Sequence, residues 1–201
     1  VIFINGRVGE WNDKVDISLN KDNLIKVCSP DEYDIKDFVK TTQKDIEVMF
    51  KELMQVVNSV KEIHLKKILD AFFANKEFAE KFKACPAAMY HHHGWVGGLL
   101  EHVLSVVTIC DYIAKIHPSL DRDLLVTGAL LHDIGKLEEF GVSTHIKVTT
   151  KGMLIGHVSI GAQMLNGQFD KMDIPEDIKL KVMHMVLSHH GKMEYGSPKI
   201  P

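Results

Sequence analysis

The stretch GLLEHVLSVVTICDYIAKIHP, residues 98–118, decides the fold class. Leu99, Val103, Val106, Val107, Cys110 and Ile113 recur at three- and four-residue steps, the period of one face of an α-helix, and Pro118 marks its end. His102 falls three residues after Leu99 and four before Val106, so it shares the apolar face rather than the solvent face. An imidazole in an apolar stripe needs a partner there, which turns a packing helix into a candidate scaffold for chemistry.

The same period extends outward. Ile46, Met49, Phe50, Leu53, Val57 and Val60, then Leu65, Ile68, Leu69 and Phe72, predict helices that are closed at Pro86. A loop over Ala87–Trp95 leads into the first helix described above. Beyond it the pattern predicts a helix from about Arg122 to Gly135, a loop over Glu139–Thr150 and a helix over roughly Gly152–Phe169. A last helix opens on a capping box at Asp173-Ile174-Pro175-Glu176 and runs to about His190, stopped by Gly191. Before Cys28 the texture changes. Val1–Ile4 form an apolar run, and Val15, Ile17 and Leu19 alternate with Asp16, Ser18 and Asn20, as in strands. The reading is a mainly α chain in which residues 1–27 are the end of a β domain, 28–36 a linker and 37–201 a helical bundle. Val1 opens the sequence inside an apolar run without an initiator Met, so the chain is expected to be a piece of a longer polypeptide.

Composition narrows the function classes. At 201 residues, 45% hydrophobic and 25% charged, the chain can bury a core. A net charge of -3 gives no bulk positive field, so a polyanion would have to be held locally. No apolar run approaches the roughly 18 residues of a membrane span, and no signal peptide opens the chain, so no membrane partner is expected. Cys28, Cys85 and Cys110 are odd in number and far apart, which suits buried thiols in a reducing, cytoplasmic setting. The abnormal feature is 12 histidines, of which 11 lie between His91 and His190.

These histidines repeat the position of His102. His132 is seven residues after Leu125 and four after Gly128; His157 is in step with Leu154, Ile160 and Met164; His189 follows Met185 by four and Val182 by seven. A single inward histidine is usually a satisfied core residue, but four on separate helices with the carboxylate of Asp133 beside one of them would each need a buried partner. A shared metal centre satisfies all of them, and imidazoles with a carboxylate suit Mn, Fe, Co, Ni or Zn better than Ca or Mg. A carboxylate has two oxygens and can span two cations, so His102, His132 and Asp133 are expected around one ion and Asp133, His157 and His189 around the second. His190, about 100° further around its helix, could replace or join His189. Lys136 lies one turn after His132, placed to hold a phosphate oxygen or protonate a leaving group, or to serve as a helix-terminal cation.

At these residues a resemblance emerges. Leu131-His132-Asp133-Ile134-Gly135-Lys136, preceded by Gly98-Leu99-Leu100-Glu101-His102, resembles the HD-domain metal-dependent phosphohydrolase superfamily. With His92-His93, Gly156-His157-Val158-Ser159, Leu187-Ser188-His189-His190-Gly191-Lys192 and Tyr195-Gly196-Ser197-Pro198, the chain is similar over nearly its whole length to the YhaM family of 3′ to 5′ exoribonucleases. The resemblance implies an HD-domain helical bundle preceded by an OB-fold, of which residues 1–27 would be the last strands. It implies release of nucleoside 5′-monophosphates from the 3′ end of single-stranded RNA, and often DNA. Two divalent ions are implied, with Mn or Co favoured and Fe, Ni, Zn or Mg as alternatives. Carried over by position, the metal residues are His102, His132, Asp133, His157 and His189 or His190. The family's final Asp would lie beyond Pro198, past the end of this sequence. HD-GYP phosphodiesterases carry a Gly-Tyr-Pro motif that Tyr195-Gly196-Ser197-Pro198 does not match.

Asp133 and Lys136 are thus the expected catalytic pair. Substrate contacts are expected at His92 and His93, which match the family, and at Lys136, Trp95 and Lys192, since single strands are held by cations on the backbone and aromatics on the bases. A homo-oligomer is compatible with the sequence. Three rivals stay open: a phosphohydrolase of small nucleotides, a di-iron oxygenase, and a non-catalytic nucleic-acid-binding module.

Overall fold

The computed structural model describes residues 1–20, 25–89, 93–195 and 197–198. The chain opens on strands β1 (Ile2–Ile4), β2 (Arg7–Trp11), β3 (Lys14–Ser18) and β4 (Ile25–Val27), in two antiparallel pairs, β1 with β4 and β2 with β3. Asn12 and Asp13, both at positive φ (50° and 58°), make the tight turn that sets Trp11 opposite Lys14 and Glu10 opposite Val15. The alternation of Val15 and Ile17 yields a strand, but with 82% and 50% exposure it hides neither face.

The remainder is mainly helical: α1 (Ile46–Ser59), α2 (Ile63–Phe73), α3 (Lys76–Ala84), α4 (Gly98–Ile116), α5 (Arg122–Leu131), α6 (Lys136–Glu139), α7 (Thr150–Ile155), α8 (His157–Phe169) and α9 (Glu176–Ser188). Side-chain caps start several of them: Asp45 accepts from the N–H groups of Glu47 and Val48, Asn75 from Phe78, Asp121 from Leu124 and Thr149 from Gly152. The apolar stripe read around His102 is the spine of the core, where Leu99, Leu100 and Val103 of α4 are fully buried with Leu53, Ile68, Leu69, Phe82, Leu130 and Val182. Phe72, Phe73, Phe78 and Phe82 close one end with ring centroids 5.2–5.9 Å apart. Helix α4 packs on α1, α3 and α5, while α9 packs on α5 and α8. The end of α5 thus meets α4 near His102, and α9 links it to the start of α8.

Four local expectations differ from the structure. The helix over Arg122–Gly135 stops at Leu131, and turns over His132–Gly135 separate it from α6. The helix over Gly152–Phe169 is two helices, because Gly156 sits at φ +75° and breaks the ladder between α7 and α8. The loop over Glu139–Thr150 contains a hairpin, β5 (Phe140–Val142) paired with β6 (Ile146–Val148). The capping box at Asp173 does not form: Pro175 occupies the cap position of α9 with no side-chain bond, and its carbonyl accepts from Ile178 and Lys179. Among the described residues no helix is long and apolar enough to cross a membrane.

Candidate metal centre

Helix ends build the site. His132 is the residue that caps the C-terminus of α5, Asp133 follows it, His189 caps α9 in the same way, and His157 is the first residue of α8. The last carbonyls of a helix lack partners within it, and here they orient the rings. His132 Nδ1 lies 2.8 Å from the Ala129 carbonyl and His189 Nδ1 2.7 Å from that of Val186, so each donates its Nδ1 proton and leaves its lone pair on Nε2. His157 reaches the same state through Glu139, whose carboxylate oxygens lie 3.1 and 3.2 Å from its Nδ1.

All these Nε2 atoms converge on Asp133, which is 2% exposed, and they divide between its two oxygens. Oδ2 faces His132 Nε2 at 3.1 Å and His102 Nε2 at 3.4 Å. Oδ1 faces His157 Nε2 at 3.6 Å and His189 Nε2 at 3.7 Å. The Nε2 atoms of His102 and His132 are 3.2 Å apart, as are those of His157 and His190. Two donor groups result, His102 with His132 and Asp133, and His157 with His189 and His190, each with its ligand atoms within 4.8 Å of one another. The ring of His190, read from helical phase as the outlying one, stands 5.0 Å from that of His157 between centroids.

This donor set fits cations. Oriented lone pairs face a carboxylate oxygen at contact distance, and Asp133 Oδ1 and His189 Nε2 are buried without a hydrogen-bond partner. Such orphans are costly unless a cation is shared among them. Protonation states suit the same role. Burial opposes ionisation of Asp133, but the neighbouring His102 and His132 rings and the charge of Lys136 outweigh it and hold its carboxyl well below the usual range. Burial pushes the His189 imidazole down to about 4 against the pull of the Val186 carbonyl, and burial followed by the neighbouring His157 lowers His190. Lys136 Nζ meets Asp133 Oδ2 at 2.7 Å.

Close backbone approaches fix these positions. A Cβ on Gly135 would lie 1.9 Å from the His157 carbonyl oxygen, and one on Gly152 would lie 2.5 Å from that of Glu139. Both glycines let α6, α7 and α8 approach closely enough for Glu139 to reach His157. No motif marks Glu139, which opens the expected loop; its spacing of three from Lys136 is the signal the sequence offers.

The expected substrate residues are placed less uniformly. His93, at φ +62°, sets its ring at a tilt to those of His102 and Trp95, with centroids 5.9 and 5.3 Å away. Trp95 donates its indole N–H to Glu101, which also accepts from Thr42 and pairs with Lys44. It thus anchors the loop and lines a separate cavity of about 760 Å³ with Lys36, Lys40 and Lys44. Lys192 is exposed just past α9. His92 lies outside the described residues. Of the other described histidines, His64, His117, His145 and His184 fall in neither donor group.

Comparison with known proteins matches the segment that carries these residues. The HD domain family model matches residues 99–201. The 3′-5′ exoribonuclease YhaM of Bacillus subtilis is 34% identical over 201 residues, covering all of this chain and 63% of that protein. Its counterpart in Listeria monocytogenes is 37% identical with the same coverage, and that of Bacillus pumilus 32%. The chain thus spans 63% of the length of these relatives. No solved structure matches it.

Proposed function

The chain belongs to the HD-domain family, and on that premise we propose that it hydrolyses phosphodiesters with two divalent cations, removing nucleoside 5′-monophosphates from the 3′ end of single-stranded RNA and, secondarily, DNA. The relatives named as 3′-5′ exoribonucleases support the substrate and direction. The observation that carries the reading is the division of one buried carboxylate, with Asp133 Oδ2 turned to His102 and His132 and Oδ1 to His157 and His189.

His102, His132 and Asp133 would hold one cation, and His157, His189 and His190 the other, with Asp133 spanning both. Bound there, the pair supplies Lewis acidity: a lower pKa for the attacking water and neutralisation of charge on the phosphoryl and leaving oxygens. The protein's own groups do the rest. Ala129, Val186 and Glu139 keep protons on Nδ1 of His132, His189 and His157, so each ring offers Nε2 without rearrangement. Lys136 holds Asp133 Oδ2 and is placed to transfer that contact to a phosphate oxygen or to give a proton to the leaving oxygen. Manganese or cobalt is the proposed pair of ions. The exposed apolar strands before Cys28 support reading residues 1–27 as the end of an OB-like domain that adds single-strand affinity. The three unpaired cysteines support a cytoplasmic setting.

The test is product analysis on a 5′-labelled RNA. A ladder shortening from the 3′ end, with nucleoside 5′-monophosphates released, abolished by EDTA and restored by manganese, is the expected result. Intact RNA alongside phosphate release from free nucleotides would overturn it in favour of a small-nucleotide hydrolase.

A further inference from the structure

A cavity of about 540 Å³ opens between α4, α5 and α9, within the range of small-molecule sites. Its inner end is the metal centre, where Asp133 and Lys136 face into it. Its outer end is walled by Val106, Cys110, Leu125 and Met185, with Gly128 and Ala129 as the floor. These residues continue the stripes that carry the metal donors: Val106 and Cys110 follow His102 by one and two turns on α4, Leu125 and Ala129 precede His132 on α5, and Met185 precedes His189 on α9. A ligand with its phosphate at Lys136 therefore has its body directed along the helices into an apolar slot.

We propose, on the basis of the hydrolase reading above, that this slot seats the base of the 3′-terminal nucleotide. Three features select that occupant. Among the described lining residues the one lysine, Lys136, is at the inner end, so the fitting ligand has an anionic head and an apolar body. Among the described residues the walls present methyl, thiol and thioether groups and no carboxylate, amide or guanidinium, so they grip the face of a base without reading its hydrogen-bonding edge, and all four bases fit alike. Met185 lies flat over Gly128, where a Cβ would meet its Cε at 2.0 Å and its Sδ at 2.8 Å, and a thioether suits contact with an aromatic ring. The slot thus explains how one site could process successive nucleotides without sequence preference.

Cys110 reports occupancy directly. In the manganese-loaded chain, alkylation of Cys110 followed by peptide mass spectrometry, with Cys28 as the internal control, should slow at least tenfold in saturating adenosine or cytidine 5′-monophosphate and stay unchanged in ribose 5-phosphate. Equal protection by ribose 5-phosphate, or none by either nucleotide, overturns the assignment. A kinetic arm uses RNA ending in a normal or an abasic 3′ residue. Wild type should remove the abasic residue at least tenfold more slowly, and Val106→Trp should erase that preference; a preference unchanged in Val106→Trp overturns the assignment. If nucleotides protect Cys110 but RNA is not shortened, the exonuclease reading fails and the slot stands. If RNA is shortened without base-dependent protection, the reverse holds.

Discussion

The backbone of Gly135 lies against the carbonyl of His157 so closely that a Cβ would come within 1.9 Å of the oxygen and 2.6 Å of the Gly161 nitrogen. The glycine of the His-Asp-Ile-Gly-Lys run is therefore not needed for an unusual φ, since its own is -63°. It is needed for space, because any side chain would push the start of α8, and with it His157, away from Asp133.

Gly135→Ala is accordingly expected to keep the helical fold at a cost of about 1–3 kcal/mol, while losing one of two bound cations and most turnover. Elemental analysis beside circular dichroism checks this; two cations and wild-type turnover in the variant would contradict the packing role.

The Glu139 carboxylate meets both the ring and the backbone N–H of His157. Glu139→Ala should weaken cation binding by roughly 10- to 100-fold, and Glu139→Gln, which keeps an acceptor for the Nδ1 proton, should recover part of the loss. Calorimetric titration with manganese measures both. Equal affinity in all three proteins would remove Glu139 from the centre.

Asp133→Asn should abolish metal-dependent hydrolysis and leave the far-ultraviolet spectrum unchanged. An amide oxygen can hold one ion weakly but cannot span two as a charged bridge. Undiminished turnover in this variant is the outcome the bridging role forbids.

Away from the centre, Asp123 Oδ2 accepts from the backbone N–H groups of Lys61 and Glu62 at 2.7 and 2.9 Å, joining the start of α5 to the start of α2. Burial would raise its pKa, but those bonds and Arg122 lower it below 3.8. Its carboxylate therefore stabilises the fold fully above that pH, and the contribution is lost as pH falls through the lowered value. Asp123→Asn should cost about 1–2 kcal/mol with metal content intact. Urea melts should show a gap from wild type that is constant from pH 7 to 5 and narrows below pH 3.8.

Much of this was legible in residue spacing, for reasons that differ by residue. His102 could be placed because α4 is long and its stripe is unambiguous. His132 could be placed because it ends a segment, Val126–Leu131, that is buried throughout. For His157 the companions on its own helix, Ile160 and Gly161, are buried, but Leu154 is 79% exposed, because Gly156 breaks the chain and α8 starts afresh. His190 lies beyond the reach of helical phase, since α9 ends at Ser188. Val106, Leu125, Gly128 and Met185 were read as marking an inward face, which they do, but that face looks onto a cavity rather than a filled core. Spacing reports which side of a helix is apolar; it does not report whether the space opposite is occupied.

Whether two cations share Asp133 is decided by anomalous scattering from a crystal grown with manganese. The expected result is two peaks, one among His102, His132 and Asp133 and the other among His157, His189 and His190, with the Asp133 carboxylate between them. A single peak, or ions bound away from Asp133, would contradict it.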